Sequence, residues 1–312
     1  MNEEKKIMEN ISIIGSGNVG RRIGIYFSKE TPSLVIFNDI NKNVIEELEK
    51  TGYNATTDME HTLKSSDISF IAVPTPIADD GLYNTSFLEN AFVSIGKVLK
   101  YKNSYHIFVL KSTVTPGTTE ELIIPIIEKY SGKIEGKDFG VVFNPEFLTV
   151  ISNTWTDDKK FCVNSENEGR IVIGEGKNKK AGDIIEAFYK GINNYIPVLR
   201  TDYKTAEMTK LVANNRLALA ISFSNEIFLS CKEMKNRGMD IDTNFIIRSM
   251  SMDKRIGMYG SIFGKAWGGP CFLKDTVALE TFIKNKTGKY PDLISGSVKI
   301  NDEMKEIYDI RE

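Results

Sequence analysis

A short apolar strand pattern, Ile11 to Ile14, leads straight into Gly15-Ser16-Gly17-Asn18-Val19-Gly20, and a helical pattern opens at Val19. Glycines at this spacing also occur in ordinary turns, so the G-x-G-x-x-G string carries weight only through its setting. Here a strand precedes it and a helix follows it. Asp39 stands at the end of the next apolar run, where an acid would meet ribose hydroxyls. Such glycines let the backbone approach a pyrophosphate, while the helix start offers free N–H groups and a positive dipole end. An acid at Asp39 would repel a 2′-phosphate. The expected cofactor is therefore NAD rather than NADP, held by Gly15, Gly17, Asn18, Val19, Gly20 and Asp39.

The alternation continues through the first two hundred residues. Short β-branched apolar runs at 11–14, 34–37, 68–73, 107–110, 139–143, 170–173 and 195–198 alternate with helical spacing at 19–28, 44–50, 87–99, 118–130 and 181–190. This predicts an α/β domain over residues 1–200, built on a Rossmann-type, doubly wound, mostly parallel sheet. From Asp202 to about Arg237 a helical stretch runs without interior glycine or proline, followed by a Gly-rich segment and further helix. A helical domain with one long central helix is expected over 201–312. The polar segment 152–168 lacks strong periodicity and reads as a surface excursion.

With 312 residues, 41% hydrophobic and 26% charged, the chain is long enough for two domains with buried cores. Lys and Arg number 40 against 42 Asp and Glu, and the charge of -2 gives no reason to expect nucleic acid or an acidic membrane as partner. No apolar run approaches the ~18 residues of a membrane span. Met1 to Asn10 mixes Glu and Lys without the apolar core of a secretion signal, so a cytoplasmic protein is expected. Cys162, Cys231 and Cys271 show no metal-ligand spacing, and no metal is expected. His61 and His106 both read as surface or loop histidines.

In an open α/β sheet the ligand crevice lies at the carboxyl ends of the strands. Val73-Pro74-Thr75-Pro76 and Lys111-Ser112-Thr113-Val114 each follow a strand pattern. They read as plain strand-end turns or as cofactor contacts, and their position favours Pro74, Thr75 and Thr113 as contacts. Cys162 and Cys231 read as inert small hydrophobes. Cys271 differs, because it follows Gly268-Gly269-Pro270 and opens a helical pattern over 272–284, with Lys274 and Lys210 as candidate neighbours. Such surroundings lower a thiol pKa and supply the nucleophilic thiolate. On the long helix, Glu207, Lys210, Asn214 and Ala218 are three or four residues apart and share a face. Lys210 and Asn214 lie in the largely apolar stretch 208–223 and need polar partners there; a ligand would serve.

Several of these segments, taken in order, resemble the nucleotide-sugar 6-dehydrogenases, the UDP-glucose and GDP-mannose dehydrogenase family. They are the G-x-G-x-x-G strand and helix, Val-Pro-Thr-Pro, Lys-Ser-Thr-Val, Asn144-Pro145-Glu146-Phe147-Leu148, Ala206-Glu207-x-x-Lys210-x-x-x-Asn214, Arg255-Ile256-Gly257 and Gly268-Gly269-Pro270-Cys271-Phe272-Leu273-Lys274-Asp275. The resemblance covers nearly the whole chain. It implies oxidation of a sugar CH2OH to a carboxylate by two NAD molecules in turn. The expected substrate is a UDP-sugar rather than a GDP-sugar, with UDP-glucose passing to UDP-glucuronate. The resemblance further implies that Cys271 traps the aldehyde as a thiohemiacetal and then carries a thioester. Lys210 and Asn214 would hold the developing oxyanion. Asp275 would work with Lys210 and a water in proton transfer. Glu146 would position the hydrolytic water, with Thr113 in the same network, and Lys274 would approach the cofactor. Phe147, Leu148, Arg255, Phe263 and Gly268 would line the substrate site, together with Lys210 and Asn214. A homodimer through the long helix is also implied.

Three departures from the family pattern are visible. Phe147-Leu148-Thr149-Val150-Ile151 stands where the family usually reads Phe-Leu-Arg-Glu-Gly, so Val150 replaces a substrate-contacting Glu. The stretch before the strand at Ile68 is short, with 52–64 expected to form a short strand and helix. The family's C-terminal α/β domain, of typical domain size of ~100 residues, is expected to be absent. That leaves a second expectation, a truncated, inactive or split member that binds NAD but needs a separate domain for the nucleotide sugar. A hydroxyacid dehydrogenase with Lys and Asn on its long helix is disfavoured by the complete Gly-Gly-Pro-Cys-Phe-Leu-Lys-Asp segment.

Overall fold

A computed structural model describes residues 10–149, 168–308 and 310–311. Val150, Cys162 and the polar segment from 152 to 167 lie outside the described residues.

The first half alternates as its periodicity requires. β1 (Ile11–Ile14), α1 (Asn18–Glu30), β2 (Val35–Asn38) and α2 (Lys42–Lys50) are followed by β3 (Asn54–Thr56), α3 (Met59–Lys64) and β4 (Ile68–Ile71). Then come α4 (Ser86–Leu99), β5 (His106–Leu110), a π-helical turn (Thr119–Ile123) running into α5 (Ile124–Ser131), and β6 (Phe139–Phe143). β7 (Ile171–Glu175), α6 (Lys180–Ile192) and β8 (Val198–Asp202) complete it. The short strand and helix expected within 52–64 are β3 and α3.

The sheet order is β3-β2-β1-β4-β5-β6-β7-β8. All pairs are parallel except β6 with β7, which meet antiparallel at Phe143 and Gly174. Chain order reverses beside β1, and an open sheet binds its ligand at such a switch point. Fully buried strand residues show that helices cover both faces. On one face Phe27 of α1 packs on Phe70 of β4 at 4.8 Å and on Phe188 of α6 at 5.0 Å. On the other, Phe92 of α4 meets Phe108 of β5. Each such ring contributes roughly 1.5–3 kcal/mol by burial.

Among the strand ends that differ from expectation, two have a plain local cause. The run expected to continue to residue 73 stops at Ile71, because Pro74 and Pro76 lack the N–H that would extend the ladder. The strand expected at 195–198 begins at Val198 instead. Asn193 takes the Tyr195 N–H on its side chain and the Ile196 N–H on its carbonyl, so those residues form a turn.

His61 is exposed as expected, but His106 is not a surface residue. It opens β5 with no exposure, and its Nε2 lies 2.8 Å from Ser69 Oγ, which in turn lies 2.6 Å from Ser12 Oγ. Serines on two neighbouring strands thus make a polar seam that accepts an imidazole, a pairing invisible in local periodicity. Burial first, then the nearby Lys102 charge, holds the His106 pKa well below the usual value. The folded chain keeps this imidazole neutral while the unfolded chain takes a proton below about pH 6.5. Stability from this group is therefore complete above that pH and falls as the solution is acidified, by up to ~1.4 kcal/mol per pH unit. Urea unfolding across this range should show the slope, and His106→Gln should flatten it. An unchanged slope in the variant would refute the assignment.

The described residues group into two compact units. One comprises 10–76, 84–146 and 168–208; the other comprises 77–83, 147–149, 209–308 and 310–311. The division falls within α7 (Tyr203–Asn236), the long helix expected from the sequence. The second unit continues with α8 (Thr243–Ser251), β9 (Ala266–Trp267), α9 (Gly269–Thr287), α10 (Asp292–Ile307) and β10 (Ile310–Arg311). Its centre is Trp267, fully buried with Ala218 and Ile221 of α7. The indole N–H donates to Ser222 Oγ at 2.9 Å, and the Asn301 side chain of α10 pairs with the Trp267 backbone at 2.7 and 3.0 Å. These bonds fix the strand that leads directly into α9.

Candidate functional site

A nucleotide-binding loop is built in the first unit at the carboxyl end of β1. Gly15 has φ +86°, and a Cβ there would stand 2.8 Å from the backbone of Ala72 and Val73 at the end of β4. A Cβ on Gly20 would lie 2.0 Å from the Gly15 carbonyl oxygen. Both positions therefore need glycine for packing within the protein. Gly17 has open space around its absent Cβ and is exposed, as is Asn18. No side chain caps α1 and its first turn holds no acid. Its leading N–H groups suit an anion.

Asp39 is half-buried at the end of β2. It accepts the Ser16 N–H on Oδ2 at 2.8 Å and the Asn41 N–H on Oδ1 at 2.9 Å. The carboxylate is thus tied to the glycine loop itself, as a ribose acceptor should be. These residues fit a pyrophosphate with an adjacent ribose.

The next two strand ends are laced together. Thr75 Oγ1 donates to the Thr113 carbonyl at 2.8 Å, and Ser112 Oγ donates to the Val73 carbonyl at 2.6 Å. Pro74 is exposed beside them, and Thr113 is buried. Lys111, which the sequence showed only as a motif letter, is buried and donates to Asn144 Oδ1 at 3.0 Å. Asn144 also receives the Tyr189 hydroxyl at 2.6 Å. The segment that presents buried Glu146 is anchored by these bonds. Glu207 accepts the Gly117 and Thr119 N–H groups at 2.6 and 2.8 Å, capping the π-helical turn, and burial raises its pKa above the usual carboxylate value.

The second unit carries the remaining polar cluster. Cys271 lies in the first turn of α9, is half-exposed and takes part in no disulfide; Cys231 is buried and likewise takes part in none. Asp275 follows one turn later on the same face and has no exposure. Asn214 of α7 donates to Asp275 Oδ2 at 2.5 Å, and Lys274 pairs with Oδ1 at 2.5 Å. Tyr83 donates its hydroxyl to the same Oδ1 at 2.6 Å. Lys274, expected to approach the cofactor, has its ammonium on this carboxylate and 4.7 Å from the Tyr83 ring centre. Burial, then the Asp275 charge and hydrogen bond, then Cys271, push the Tyr83 pKa far up, so the phenol remains a donor.

Lys210 is buried, with its ammonium 5.4 Å from the Phe147 ring centre. Leu148 beside it is half-buried. Phe263 packs on Phe228 of α7 at 5.3 Å, and Gly268 is the N-cap of α9. Arg255 is highly exposed and paired with Asp253. Asn214, Asp275, Lys274 and Cys271 therefore share one cluster, and Arg255 is paired elsewhere. Tyr83 was missed by sequence reasoning. Its only local signal is an aromatic residue in a turn-rich segment, and its partner is 192 residues away. Among the described residues no group of three or more His, Cys, Asp or Glu could hold a metal. No helix among them is long and apolar enough to cross a membrane.

Comparison with known proteins matches both parts of the chain to one family. The profile of the UDP-glucose/GDP-mannose dehydrogenase family, NAD binding domain, matches residues 48–193, and that of the family's central domain matches 204–303. The chain is 32% identical to UDP-glucose 6-dehydrogenase AglM of Haloferax volcanii, over 95% of this chain and 70% of that protein. It is 34% identical to the GDP-mannose 6-dehydrogenase of Pseudomonas syringae, over 72% of this chain and 48% of that protein. The chain thus spans about half the length of this second relative. The solved structure of a UDP-glucose dehydrogenase from Pyrobaculum islandicum superposes with a TM-score of 0.80 at 27% identity, covering 98% of this chain and 71% of the other.

Proposed function

Since the chain belongs to the UDP-glucose/GDP-mannose dehydrogenase family, whose N-terminal domain binds NAD, we propose that it oxidises the 6-hydroxymethyl group of a nucleotide sugar to the carboxylate. A UDP-sugar, with UDP-glucose first, is favoured because the relative matched over 95% of this chain acts on that substrate class by its name. The observation that carries the reading is the cluster on α9. A half-exposed thiol stands one turn before a wholly buried carboxylate that Asn214, Lys274 and Tyr83 hold from three directions.

Bound NAD would supply the hydride acceptor for each two-electron oxidation, held by the loop from Gly15 to Gly20 and by Asp39. The protein residues do the rest. Cys271 Sγ adds to the aldehyde carbon as a thiohemiacetal and, after the second oxidation, carries a thioester. Lys210 and Asn214 donate to the oxygen that gains charge. Asp275, in concert with Lys210 and a water, moves the proton of the reacting hydroxyl. Water held by Glu146 and Thr113 attacks the thioester, supplies the second carboxylate oxygen and releases the thiolate.

Spectrophotometric NAD reduction with a panel of UDP- and GDP-sugars, N-acetylated ones included, tests the reading. Two NADH per sugar are expected, with UDP-glucose the best substrate. NAD binding with no nucleotide-sugar binding at millimolar concentration would overturn the substrate assignment.

We also propose a homodimer through α7. Val212 and Phe223 are 50% and 48% exposed, and Leu219 and Ile227 lie between or beside them at helical spacing. Such a stripe on a long helix suits a two-fold partner. Val212→Glu with Phe223→Glu should give a monomer by light scattering. A wild-type chain that is already monomeric at micromolar concentration would refute the proposal.

A further inference from the structure

We propose that Tyr83 is the positioning residue of Asp275, fixing the orientation of that carboxylate beside Cys271 through its hydroxyl. A carboxylate without solvent needs donors on both oxygens. Asn214 serves Oδ2, while Tyr83 and Lys274 share Oδ1. The two Oδ1 donors are not equivalent. Lys274 is adjacent in sequence, sits on a flexible stem and keeps 23% of its side chain exposed. Tyr83 is buried, has few rotatable bonds and comes from a different element.

That element is a small hairpin built to hold the tyrosine. Ile77 and Tyr83 form an antiparallel bridge, the Ala78 N–H donates to the Leu82 carbonyl at 2.7 Å, and Asp80 accepts the Leu82 N–H at 2.9 Å. The hairpin sits tightly on α9, since a Cβ on Gly81 would stand 2.6 Å from Thr281 Oγ1. Its ring also lies under the Lys274 ammonium. One rigid side chain thus constrains both charges at this end of the cluster.

The rate consequence rests on the proposed dehydrogenase activity; the contact itself does not. Tyr83→Phe keeps the ring and its packing and removes the hydroxyl alone. It should lower kcat by roughly 10- to 100-fold, the effect of one hydrogen bond to a charged group. KM for sugar and NAD should stay within about twofold. A merely structural tyrosine would lower Tm and leave the kcat of folded protein unchanged, which would overturn the proposal. NMR of the chain with isotope-labelled tyrosine gives a second readout without turnover. The Tyr83 resonance, assigned by its loss in Tyr83→Phe, should shift more than any other in Asp275→Asn and should titrate at lower pH there. A resonance indifferent to Asp275→Asn overturns the positioning. If the wild-type chain oxidises no nucleotide sugar, the functional reading fails alone, and the NMR result decides the contact.

Discussion

Cys271→Ser is expected to abolish the four-electron oxidation while leaving the fold and NAD binding in place. A thiol with an ordinary pKa near ~8.5 is partly ionised at neutral pH, whereas a serine hydroxyl has no such reserve and needs a strong adjacent base. Asp275 is one turn away, but its oxygens are already held by Asn214, Lys274 and Tyr83. Full turnover should fall by at least ~1,000-fold, as removal of a covalent nucleophile does elsewhere. The half-exposed position makes the stability change small, within about 0.5 kcal/mol. Calorimetry should return the wild-type NAD affinity, and the NADH yield should separate the steps. A Cys271→Ala variant that still produced two NADH per sugar would remove the covalent path altogether.

The parts of this site that were legible in the sequence are those whose signal is local. Gly15, Gly17, Gly20 and Asp39 are read from one strand, one turn and the next strand end, and the structure ties Asp39 directly to the Ser16 N–H of that turn. Cys271 and Asp275 were read from one continuous segment, and the helix that this segment forms sets them one turn apart. What escaped depends on contacts between segments distant in the chain. His106 is buried because serines from β1 and β4 line up beside it. Lys111 becomes an anchor because Asn144 of the Asn-Pro-Glu segment meets it. Tyr83 enters the cluster only when its hairpin folds onto α9. Strand ends were misplaced where proline removed a ladder donor or an Asn side chain closed a turn, at Ile71 and Val198. Periodicity records which face a residue takes, and leaves open which distant side chain waits there.

The glycine loop offers the second large effect, because its three glycines should fail in two different ways. Gly20→Ala would place a Cβ 2.0 Å from the Gly15 carbonyl oxygen, a clash with backbone rather than with a movable side chain. The start of α1 must shift, at a cost of about 1–3 kcal/mol, visible as a lower Tm with or without ligand. Gly15→Ala adds the penalty of φ +86° to a similar 2.8 Å clash and should also destabilise the free protein. Gly17 has an ordinary φ of -69° and nothing within 4 Å of its absent Cβ. Gly17→Val should therefore fold with Tm nearly unchanged, yet its branched side chain would fill the approach to the uncapped N-terminus of α1. NAD affinity by calorimetry should drop at least ~100-fold, since the pyrophosphate loses its charge-assisted bonds to those N–H groups. Equal Tm losses for Gly17→Val and Gly20→Ala would mean that the open space belongs to the protein's own packing. A normal NAD affinity in Gly17→Val would mean that the dinucleotide approaches elsewhere than over this turn.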